Sequence, residues 1–339
     1  MNEINKLTMP LADDFHVHLR QGDLMNLVVP LLQKSGIGRC LVMPNTHPPT
    51  VSVEDALSYK AKLQTLAPNI EFLMTLYLTP ALTPDIVRVA VESGITAAKC
   101  YPQGVTTNSE NGVEDLSLYN DTFAVMSEYG LTLCIHGEMP VSPELGIDIL
   151  NAEQHFLPEL ERLHKEFPKL KIVFEHVSSA EGVECIKELG ENVAATITPH
   201  HLDLVANDWK HNIHNFCKPA AKQFRDRDAL WAVVKSQHPR FFLGSDSAPH
   251  AKDAKEAGTG CAGIFTTPLL LPYLADSFEK QDCLECLSDF VSEFGRRFYD
   301  LPLSRDFVTL NHKSQKIPEM YGSVVPYRAG EQCGWQVAE

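Results

Sequence analysis

The sequence predicts a closed (β/α)8 barrel followed by a C-terminal helical extension. Three observations predict it: short runs rich in apolar and β-branched residues recur along the chain, amphipathic segments separate them, and eight such runs are present. Strands that alternate with helices form parallel sheets, and eight of them suffice to close a barrel. A doubly wound open sheet is the competing architecture, because it shows the same alternation and differs in the strand count.

The boundaries of the elements follow from where the apolar runs begin and end. The predicted strands are Leu11–Val17, Gly38–Met43, Glu71–Leu76, Ile95–Lys99, Leu131–Ile135, Lys171–Phe174, Val193–Ile197 and Arg240–Leu243. The predicted helices are Leu24–Ser35, Val53–Ala67, Thr83–Glu92, Tyr119–Tyr129, Glu153–Phe167, Ala180–Leu189 and Asp226–Gln237. Thr83 followed by Pro84 gives one of these helices a capping start.

The remainder of the chain, from Leu269 to Glu339, is predicted to form helices and an irregular tail that contains Pro318 and Pro326. No internal repeat, low-complexity tract or Ser/Gly-rich linker divides the sequence. Residues 1–339 are therefore predicted to form a single domain. The length agrees with this, since α/β barrels routinely run beyond about 200 residues.

Composition excludes several classes of partner. The 29 basic and 44 acidic residues give a formal net charge of −15, and no run of lysine or arginine forms a basic patch. A nucleic-acid or anionic-membrane partner is therefore not expected. No apolar run approaches the roughly 20 residues of a membrane span, and Met1 to Pro10 lacks the features of a signal peptide. We therefore expect a cytoplasmic protein.

Two motifs suggest cofactor sites that their contexts do not support. The nine cysteines are odd in number and scattered, unlike a disulfide framework, so we expect reduced thiols. Cys283 and Cys286 form a C-x-x-C within a stretch of helical apolar spacing, and no second pair completes a zinc site. The G-x-G-x-x-G match at Gly258 to Gly263 lacks a preceding strand, and Pro268 interrupts any following helix, so we reject a dinucleotide site.

Polar residues able to bind metals lie at the C-terminal ends of the predicted strands. They are His16, His18, Asn45, Lys99, His136, His176 and Asp246. In a barrel all these ends meet at one rim, where the active sites of this fold are built. In an extended strand His16 and His18 point to the same side, about 6.6 Å apart, and their imidazoles suit zinc and similar ions. The sequence therefore predicts a metal centre at this rim.

Lys99 requires a separate argument, because a lysine is an ammonium at neutral pH and cannot ligate a cation. Reaction with carbon dioxide would convert it into a carbamate with two oxygens that can bridge two metals. Alternatively, Lys99 extends its ammonium from the strand end or binds a substrate anion. The residues alone favour the second interpretation.

Beyond these single residues, a set of short motifs resembles the amidohydrolase superfamily and, more narrowly, the dihydroorotase family in the shorter form found in many bacteria. The motifs extend over nearly the whole chain: His16-x-His18 with Arg20, Met43-Pro44-Asn45-Thr46, Lys99-Cys100-Tyr101-Pro102, Thr106-Thr107-Asn108-Ser109, His136-Gly137-Glu138, Phe174-Glu175-His176, Thr198-Pro199-His200-His201-Leu202, Gly244 to His250, and Gly260-Cys261-Ala262-Gly263. Each motif is weak alone, and the combination is highly specific.

The resemblance implies a centre of two zinc ions. His16, His18 and Asp246 would hold one ion, and His136 and His176 the other, with carbamylated Lys99 and a hydroxide bridging them. Such a pair can activate water and polarise a carbonyl together. The implied reaction is the reversible cyclisation of N-carbamoyl-L-aspartate to L-dihydroorotate plus water in pyrimidine synthesis. The hydroxide would be the nucleophile and Asp246 the general acid and base.

The resemblance also implies how the substrate is held. Arg20, Asn45 and His250 would grip the α-carboxylate, for which the fork of an arginine is suited. Ala262 would meet the ring through its backbone. Thr106 and Thr107 would contact the substrate from a lid that spans residues 103–113. Lys218, where the sequence departs from the family pattern, would contact the ring through its main chain. A homodimer is also implied.

Two alternatives remain open. Another cyclic amidase of the superfamily, such as a hydantoinase or allantoinase, would share the metal ligands, so Arg20, Asn45, His250 and the lid carry the discrimination. From a different class, the chain could be a catalytically silent scaffold subunit. Such a subunit would be expected to lose ligands, whereas all six proposed positions carry chemically suitable residues.

Overall fold

The structure is a computed structural model that describes residues 5–109, 112–258 and 260–338. Eleven strands lie in this part of the chain: β1 (Lys6–Pro10), β2 (Ala12–Val17), β3 (Ile37–Val42), β4 (Glu71–Tyr77), β5 (Ala97–Cys100), β6 (Thr132–His136), β7 (Ile172–Glu175), β8 (Val193–Ile197), β9 (Phe241–Leu243), β10 (Phe307–Lys316) and β11 (Gln332–Val337). Strands β2 to β9 form one eight-stranded sheet in sequence order.

The eight-stranded sheet is a barrel. Each strand from β2 to β9 pairs in parallel with the next. The first and last strands meet through their C-terminal ends, where the amide of Asp246 donates to the carbonyl of His16 at 2.9 Å and the amide of His18 donates to Ser247 at 3.0 Å. The predicted (β/α)8 barrel is confirmed. The closure also brings His16, His18 and Asp246 side by side.

Helices alternate with the barrel strands as predicted. They are α1 (Gly22–Val28), α2 (Val53–Leu66), α3 (Pro84–Glu92), α4 (Asn120–Tyr129), α5 (Ala152–Glu166), α6 (Ala180–Glu188), α7 (Pro199–Asp203), α8 (Ala206–His211), α9 (Phe224–Lys235), α10 (Lys252–Lys255), α11 (Leu270–Lys280) and α12 (Phe294–Phe298). The Thr83 hydroxyl accepts from the amide of Ile86, so the predicted cap of α3 is present. The first predicted helix is divided, because a 3-10 turn over Val29–Lys34 containing Pro30 follows α1.

The C-terminal extension contains the predicted helices α11 and α12, and the stretch with Pro318 and Pro326 is irregular as predicted, but two strands that were not predicted flank this stretch. Strand β10 pairs antiparallel with both β1 and β11, which gives a second, three-stranded sheet. In β10 the buried Val308 and Leu310 alternate with more exposed neighbours, the period-2 pattern of a strand with one covered face. Leu11 alone separates β1 from β2, which supports the prediction that residues 1–339 form one domain.

The interior of the barrel is apolar below the rim. A cluster of buried side chains receives one residue from each of the eight strands, and residues from all eight can meet only inside the barrel. The cluster also includes Phe294, Phe298 and Tyr299 of the extension. At Gly295 an added Cβ would lie 2.4 Å from the Phe15 ring, so the extension approaches the barrel too closely for a side chain. The extension therefore covers the end of the barrel opposite the rim.

Two predictions from composition can be compared with the structure. All nine cysteines are free thiols, as predicted, and Cys283 and Cys286 are buried in the apolar core beside a 3-10 turn. In the described ranges, no helix combines the length and the apolar character needed to cross a membrane.

Candidate active site

The C-terminal ends of the barrel strands surround a small cavity. Its lining residues are His16, His18, Arg20, Asn45, Tyr101, Thr106, Thr107, His136, His176, Lys218, Asp246, Ala248, Ala262 and Gly263. Of the predicted site residues, only Lys99 and His250 are outside this lining. Lys99 is completely buried at the end of β5. The fold therefore brings residues from eight separate segments of sequence to one place.

Three ligand atoms at the rim already have the spacing of a zinc site. The Nε2 atoms of His16 and His18 are 3.3 Å apart, and Oδ1 of Asp246 lies 3.4 Å from the first and 3.0 Å from the second. Four ligands at about 2.0–2.1 Å around a tetrahedral zinc ion would lie about 3.3 Å from one another. The spacing of these three atoms fits such an ion.

The outer nitrogens of the two histidines are held by further polar side chains. Nδ1 of His16 lies 2.9 Å from Oε2 of Glu175, and Nδ1 of His18 lies 2.8 Å from Oδ1 of Asn45. Both partners are acceptors, so each Nδ1 carries the proton. The two Nε2 lone pairs then face each other and the Asp246 carboxylate. A cation between them relieves this repulsion, and carboxylate or amide partners of this kind orient metal-binding histidines.

Burial and charge set the protonation of these ligands. Burial lowers the pKa of His18 to about 4, although the neighbouring Asp246 acts in the opposite direction. Burial alone would raise the pKa of Asp246, but the neighbouring His18 and His16 outweigh it and hold the pKa below its ordinary value. At neutral pH the site therefore offers a neutral imidazole and an ionised carboxylate, the forms that bind a metal ion.

A second group of predicted ligands lies beside the first. The rings of His136 and His176 are 4.7 Å apart between centroids, and the ring of His176 is 5.0 Å from that of His16. Within the described ranges, Nδ1 of His176 and Nζ of Lys99 are buried without a hydrogen-bond partner. Burial lowers the pKa of Lys99, against the opposing charges of Glu175 and Asp246. Two groups that can bind a cation or carry a carbamate are thus left unpaired at the centre.

Several site residues have left-handed backbone conformations, which are uncommon outside glycine. The φ angles are 45° at His176, 45° at Asp246 and 58° at Arg20. At His176 the amide donates to Oγ1 of Thr196 at 2.7 Å, and this hydroxyl donates to Glu175 at 2.6 Å. Such strained conformations cluster at functional sites, where the surrounding contacts hold them. Here they direct side chains at strand ends into the cavity.

The predicted carboxylate-binding residues contact one another at one side of the cavity. Nε of Arg20 donates to the carbonyl of Pro249 at 3.0 Å, and Nη2 lies 3.0 Å from Nε2 of His250. Burial and the charge of Arg20 lower the pKa of His250 to about 3, so this imidazole is neutral. Nε2 of His250 is also 3.0 Å from the carbonyl of Ala262. In this structure, then, His250 contacts Arg20 and does not line the cavity.

The predicted lid lies over the cavity, although Glu110 and Asn111 within it are outside the described residues. Nδ2 of Asn45 donates to the carbonyl of Thr107 at 3.0 Å, and Nδ2 of Asn108 donates back to the carbonyl of Asn45 at 3.0 Å. Nζ of Lys218 donates to the carbonyl of Val105 at 2.6 Å. The contact of Lys218 with the loop therefore runs through its side chain, which the sequence did not predict.

Sequence reasoning assigned no role to three buried residues of the site. Glu175 contacts His16, Glu138 lies 2.7 Å from Nε2 of His136, and Tyr101 lines the cavity. The two glutamates flank predicted ligands at a distance of one and two residues along the chain. A search for carboxylates beside each candidate histidine would have found both of them.

In a second cluster of potential ligands, His201 has partners within the protein, whereas both ring nitrogens of His200 are buried without a partner among the described residues. His200, His201 and Cys217 bring ligand atoms within 4.8 Å of one another. However, Nδ1 of His201 lies 2.9 Å from the Thr198 hydroxyl, and its Nε2 lies 2.9 Å from the carbonyl of Pro219. Both ring nitrogens thus have partners, which favours a structural role for His201.

Comparison with known proteins decides the family. No family model matches the sequence. The probable dihydroorotase of Schizosaccharomyces pombe is 44% identical, with 97% of this chain and 99% of the relative covered. The dihydroorotase of Neisseria gonorrhoeae is 43% identical, with 98% of each covered. The crystal structure of Saccharomyces cerevisiae dihydroorotase in complex with 5-fluoroorotic acid superposes with a TM-score of 0.95 at 40% identity, covering 99% of both chains.

The chain belongs to the dihydroorotase family. Dihydroorotases are amidohydrolase-superfamily enzymes, so the chain is a hydrolase that acts on cyclic amide C–N bonds of a small-molecule substrate. Membership also implies a metal cofactor, for which the geometry of His16, His18 and Asp246 is suited.

The solved L-hydantoinase from Arthrobacter aurescens is also similar, with a TM-score of 0.83 at 20% identity, covering 98% of this chain and 83% of that one. At this identity the likeness shows the fold alone. The dihydroorotase relatives include fungal proteins as well as bacterial ones, so the shorter form predicted from the motifs extends beyond bacteria.

Proposed function

We propose that the rim cavity catalyses the reversible cyclisation of N-carbamoyl-L-aspartate to L-dihydroorotate plus water, a step of pyrimidine synthesis. One observation carries the proposal: three ligand atoms with zinc-like spacing share a cavity with Arg20, a cation suited to a carboxylated substrate. The ring acid bound to the Saccharomyces cerevisiae dihydroorotase supports a substrate of this class.

The proposed cofactor is a pair of zinc ions. His16, His18 and Asp246 would hold one ion, and His136 and His176 the other. Carbamylated Lys99 would bridge the two, and the buried, unpartnered Nζ supports this role because a free ammonium there would lack any counter-group in hydrogen-bond contact. When bound, the ions would lower the pKa of a water molecule and polarise the carbonyl under attack.

Asp246 is the proposed proton carrier. Its Oδ1 faces the two histidines, so the second oxygen, Oδ2, is the one that would hold the moving proton. In hydrolysis Asp246 would take the proton of the attacking hydroxide and give it to the leaving ring nitrogen. In cyclisation it would take the proton from the ureido nitrogen as that nitrogen attacks the side-chain carboxyl group, and would pass it to the carboxyl oxygen that leaves as water.

The remaining cavity residues would bind and enclose the substrate. Arg20 would receive the α-carboxylate, supported by Asn45 and with His250 behind the guanidinium. Thr106 and Thr107 would contact the substrate from the lid and exclude water. Ala262 and the backbone at Lys218 would meet the ring; both residues line the cavity.

Metal analysis combined with a dihydroorotate hydrolysis assay tests the proposal. We expect about two zinc ions per chain and turnover that is lost on chelation and restored by zinc. Hydantoin and allantoin are the matched control substrates, because the related cyclic amidases share the ligands. Turnover of hydantoins with dihydroorotate left untouched would contradict the substrate assignment. A zinc-restored chain that remains inactive on all three would favour a silent scaffold subunit.

The proposed assembly is a homodimer, which rests on the family resemblance. Light scattering coupled to gel filtration would give the molar mass directly, and the mass of a single 37.8 kDa chain would contradict the dimer.

A further inference from the structure

One polar group in the cavity has no role in the proposed chemistry: the hydroxyl of Tyr101. The residue lines the cavity and is 1% exposed. Within the described ranges its hydroxyl has no hydrogen-bond partner. A buried hydroxyl without a partner destabilises the folded state, and a specific unsatisfied group in a cavity therefore points to a ligand.

Of the other unpartnered atoms at the site, Oε1 of Glu175 belongs to a residue outside the cavity lining, and two more have a proposed use. Nζ of Lys99 would carry the carbamate, and Nδ1 of His176 would bind the second zinc ion. Among the residues that line the cavity, these assignments leave the Tyr101 hydroxyl as the buried polar group without a partner. Its partner is thus to be sought in what the cavity binds.

The Tyr101 ring is fixed by its neighbours. The ring of Tyr77 packs edge-on against it with 5.2 Å between centroids, and Nζ of Lys99 lies 5.2 Å from the Tyr101 centroid. The ring of His136 is 6.4 Å away on the same side of the barrel. Because Tyr77 also donates from its hydroxyl to the lid carbonyl of Asn108 at 3.3 Å, this aromatic pair lies between the metal centre and the lid.

We propose that the Tyr101 hydroxyl binds substrate directly, donating a hydrogen bond to an acceptor oxygen of dihydroorotate or N-carbamoyl aspartate. The proposal rests on the proposed function, since it concerns the same cavity and substrate. It makes Tyr101 a specificity residue, because a hydroxyl held in a fixed place favours the binding of a ligand with an acceptor oxygen there over one without it.

The test compares Tyr101→Phe with Tyr299→Phe. Tyr299 is a buried tyrosine of the barrel interior whose hydroxyl lies 3.4 Å from Sγ of Cys134, so its substitution also removes one buried hydroxyl but leaves the cavity intact. For each variant and the unsubstituted chain, kcat and KM for dihydroorotate, the inhibition constant of 5-fluoroorotic acid, the zinc content and the melting temperature are measured.

We expect Tyr101→Phe to lower kcat/KM about fivefold to tenfold, with unchanged zinc content, and Tyr299→Phe to leave kcat/KM within twofold. A weaker binding of 5-fluoroorotic acid by Tyr101→Phe, at full zinc content, supports the same contact in a readout independent of turnover. A kcat/KM within twofold for Tyr101→Phe overturns the proposal, and so does a joint loss of zinc and activity, which would place the hydroxyl in the metal centre. If the zinc-loaded unsubstituted chain fails to hydrolyse dihydroorotate, the proposed function itself fails.

Discussion

The two ends of the barrel differ in whether their buried charged and polar groups have partners within the protein. At the end covered by the extension, Oδ2 of Asp13 lies 2.7 Å from Nε of Arg296 and 3.4 Å from Nη1 of Arg39. At the rim, Lys99 and His176 have buried polar atoms without a partner in the described chain. One end pairs its charged side chains with one another, although Nη1 of Arg296 has no hydrogen-bond partner among the described residues, whereas the other presents groups that require something from outside. In barrels of this class stability is concentrated at the first end and chemistry at the second.

The ion pairs of Asp13 with Arg296 and Arg39 at the covered end fix the positions of these side chains rather than adding net stability. Burial raises the pKa of Asp13 even though two guanidinium groups lower it. The cost of removing the carboxylate from water thus exceeds what its partners return, as is common for buried ion pairs. Removing one partner is nevertheless expected to be harmful, because the others remain buried and unpaired.

The largest difference between the ends is expected from Asp246→Ala. Turnover should fall by at least about 10³-fold, because the substitution removes both a proposed metal ligand and the proposed proton carrier, while the melting temperature changes little. Steady-state dihydroorotate hydrolysis and a thermal melt measure the two effects. Asp300→Ala, on the exposed surface beside Lys171, is the matched control and should retain full activity. Retention of activity by Asp246→Ala would contradict the mechanism.

Lys99→Ala tests the unpaired lysine. We expect zinc content to fall and activity to drop by about 100-fold, because the proposed carbamate bridge is lost. Short carboxylic acids added to the assay should restore part of the activity by supplying the missing oxygens. Full zinc occupancy without rescue would argue against the bridge and would favour the alternative interpretation, in which Lys99 binds a substrate anion.

Asp13→Ala tests the covered end. It leaves Arg296 and Arg39 buried without their carboxylate, and we expect the free energy of unfolding to fall by about 3–5 kcal/mol. The activity per folded molecule should be unchanged at low temperature. Urea unfolding monitored alongside turnover separates the two quantities. A loss of turnover without a loss of stability would show that stability and catalysis are not separated between the two ends of the barrel.

The smallest effect is expected from Lys218→Met, which keeps the length of the side chain and the backbone at residue 218 but removes the hydrogen bond to Val105. We expect kcat/KM to fall about threefold to tenfold, and the loop that contains Thr106 and Thr107 to be cleaved faster by protease. Lys235→Met, which loses a contact between two exposed side chains, is the control. Equal protease sensitivity in both variants would mean that Lys218 does not restrain the loop.

Sequence predicted the barrel and the main candidate ligands because each left a local signal. The β-branched runs predicted the eight barrel strands, and His16, His18, His136, His176 and Asp246 were recognisable as polar residues at strand ends. The three-stranded sheet was missed because β1 and β10 pair across about 300 residues of sequence, which local patterns do not register. The resemblance supplied the carbamate on Lys99, which the residues alone did not favour.

Other features of the site depend on three-dimensional contacts. Glu175 is an ordinary strand residue in sequence and acquires its role only where the fold brings it to Nδ1 of His16. Tyr101 follows a strand like many buried tyrosines, and only the absence of a partner in the described chain distinguishes it. The side-chain contact of Lys218 with the loop joins residues 113 positions apart. Sequence proximity encodes none of these three contacts.

Asn45 joins two functions that enzymes often keep separate. Its oxygen accepts the proton of Nδ1 that leaves His18 able to bind metal through Nε2, and its nitrogen donates to the lid at Thr107. Rotating the amide by half a turn would exchange the positions of its oxygen and nitrogen, and both contacts would then be broken. The tautomer of His18, a proposed metal ligand, and the position of the loop over the cavity are therefore both held by the orientation of one planar group.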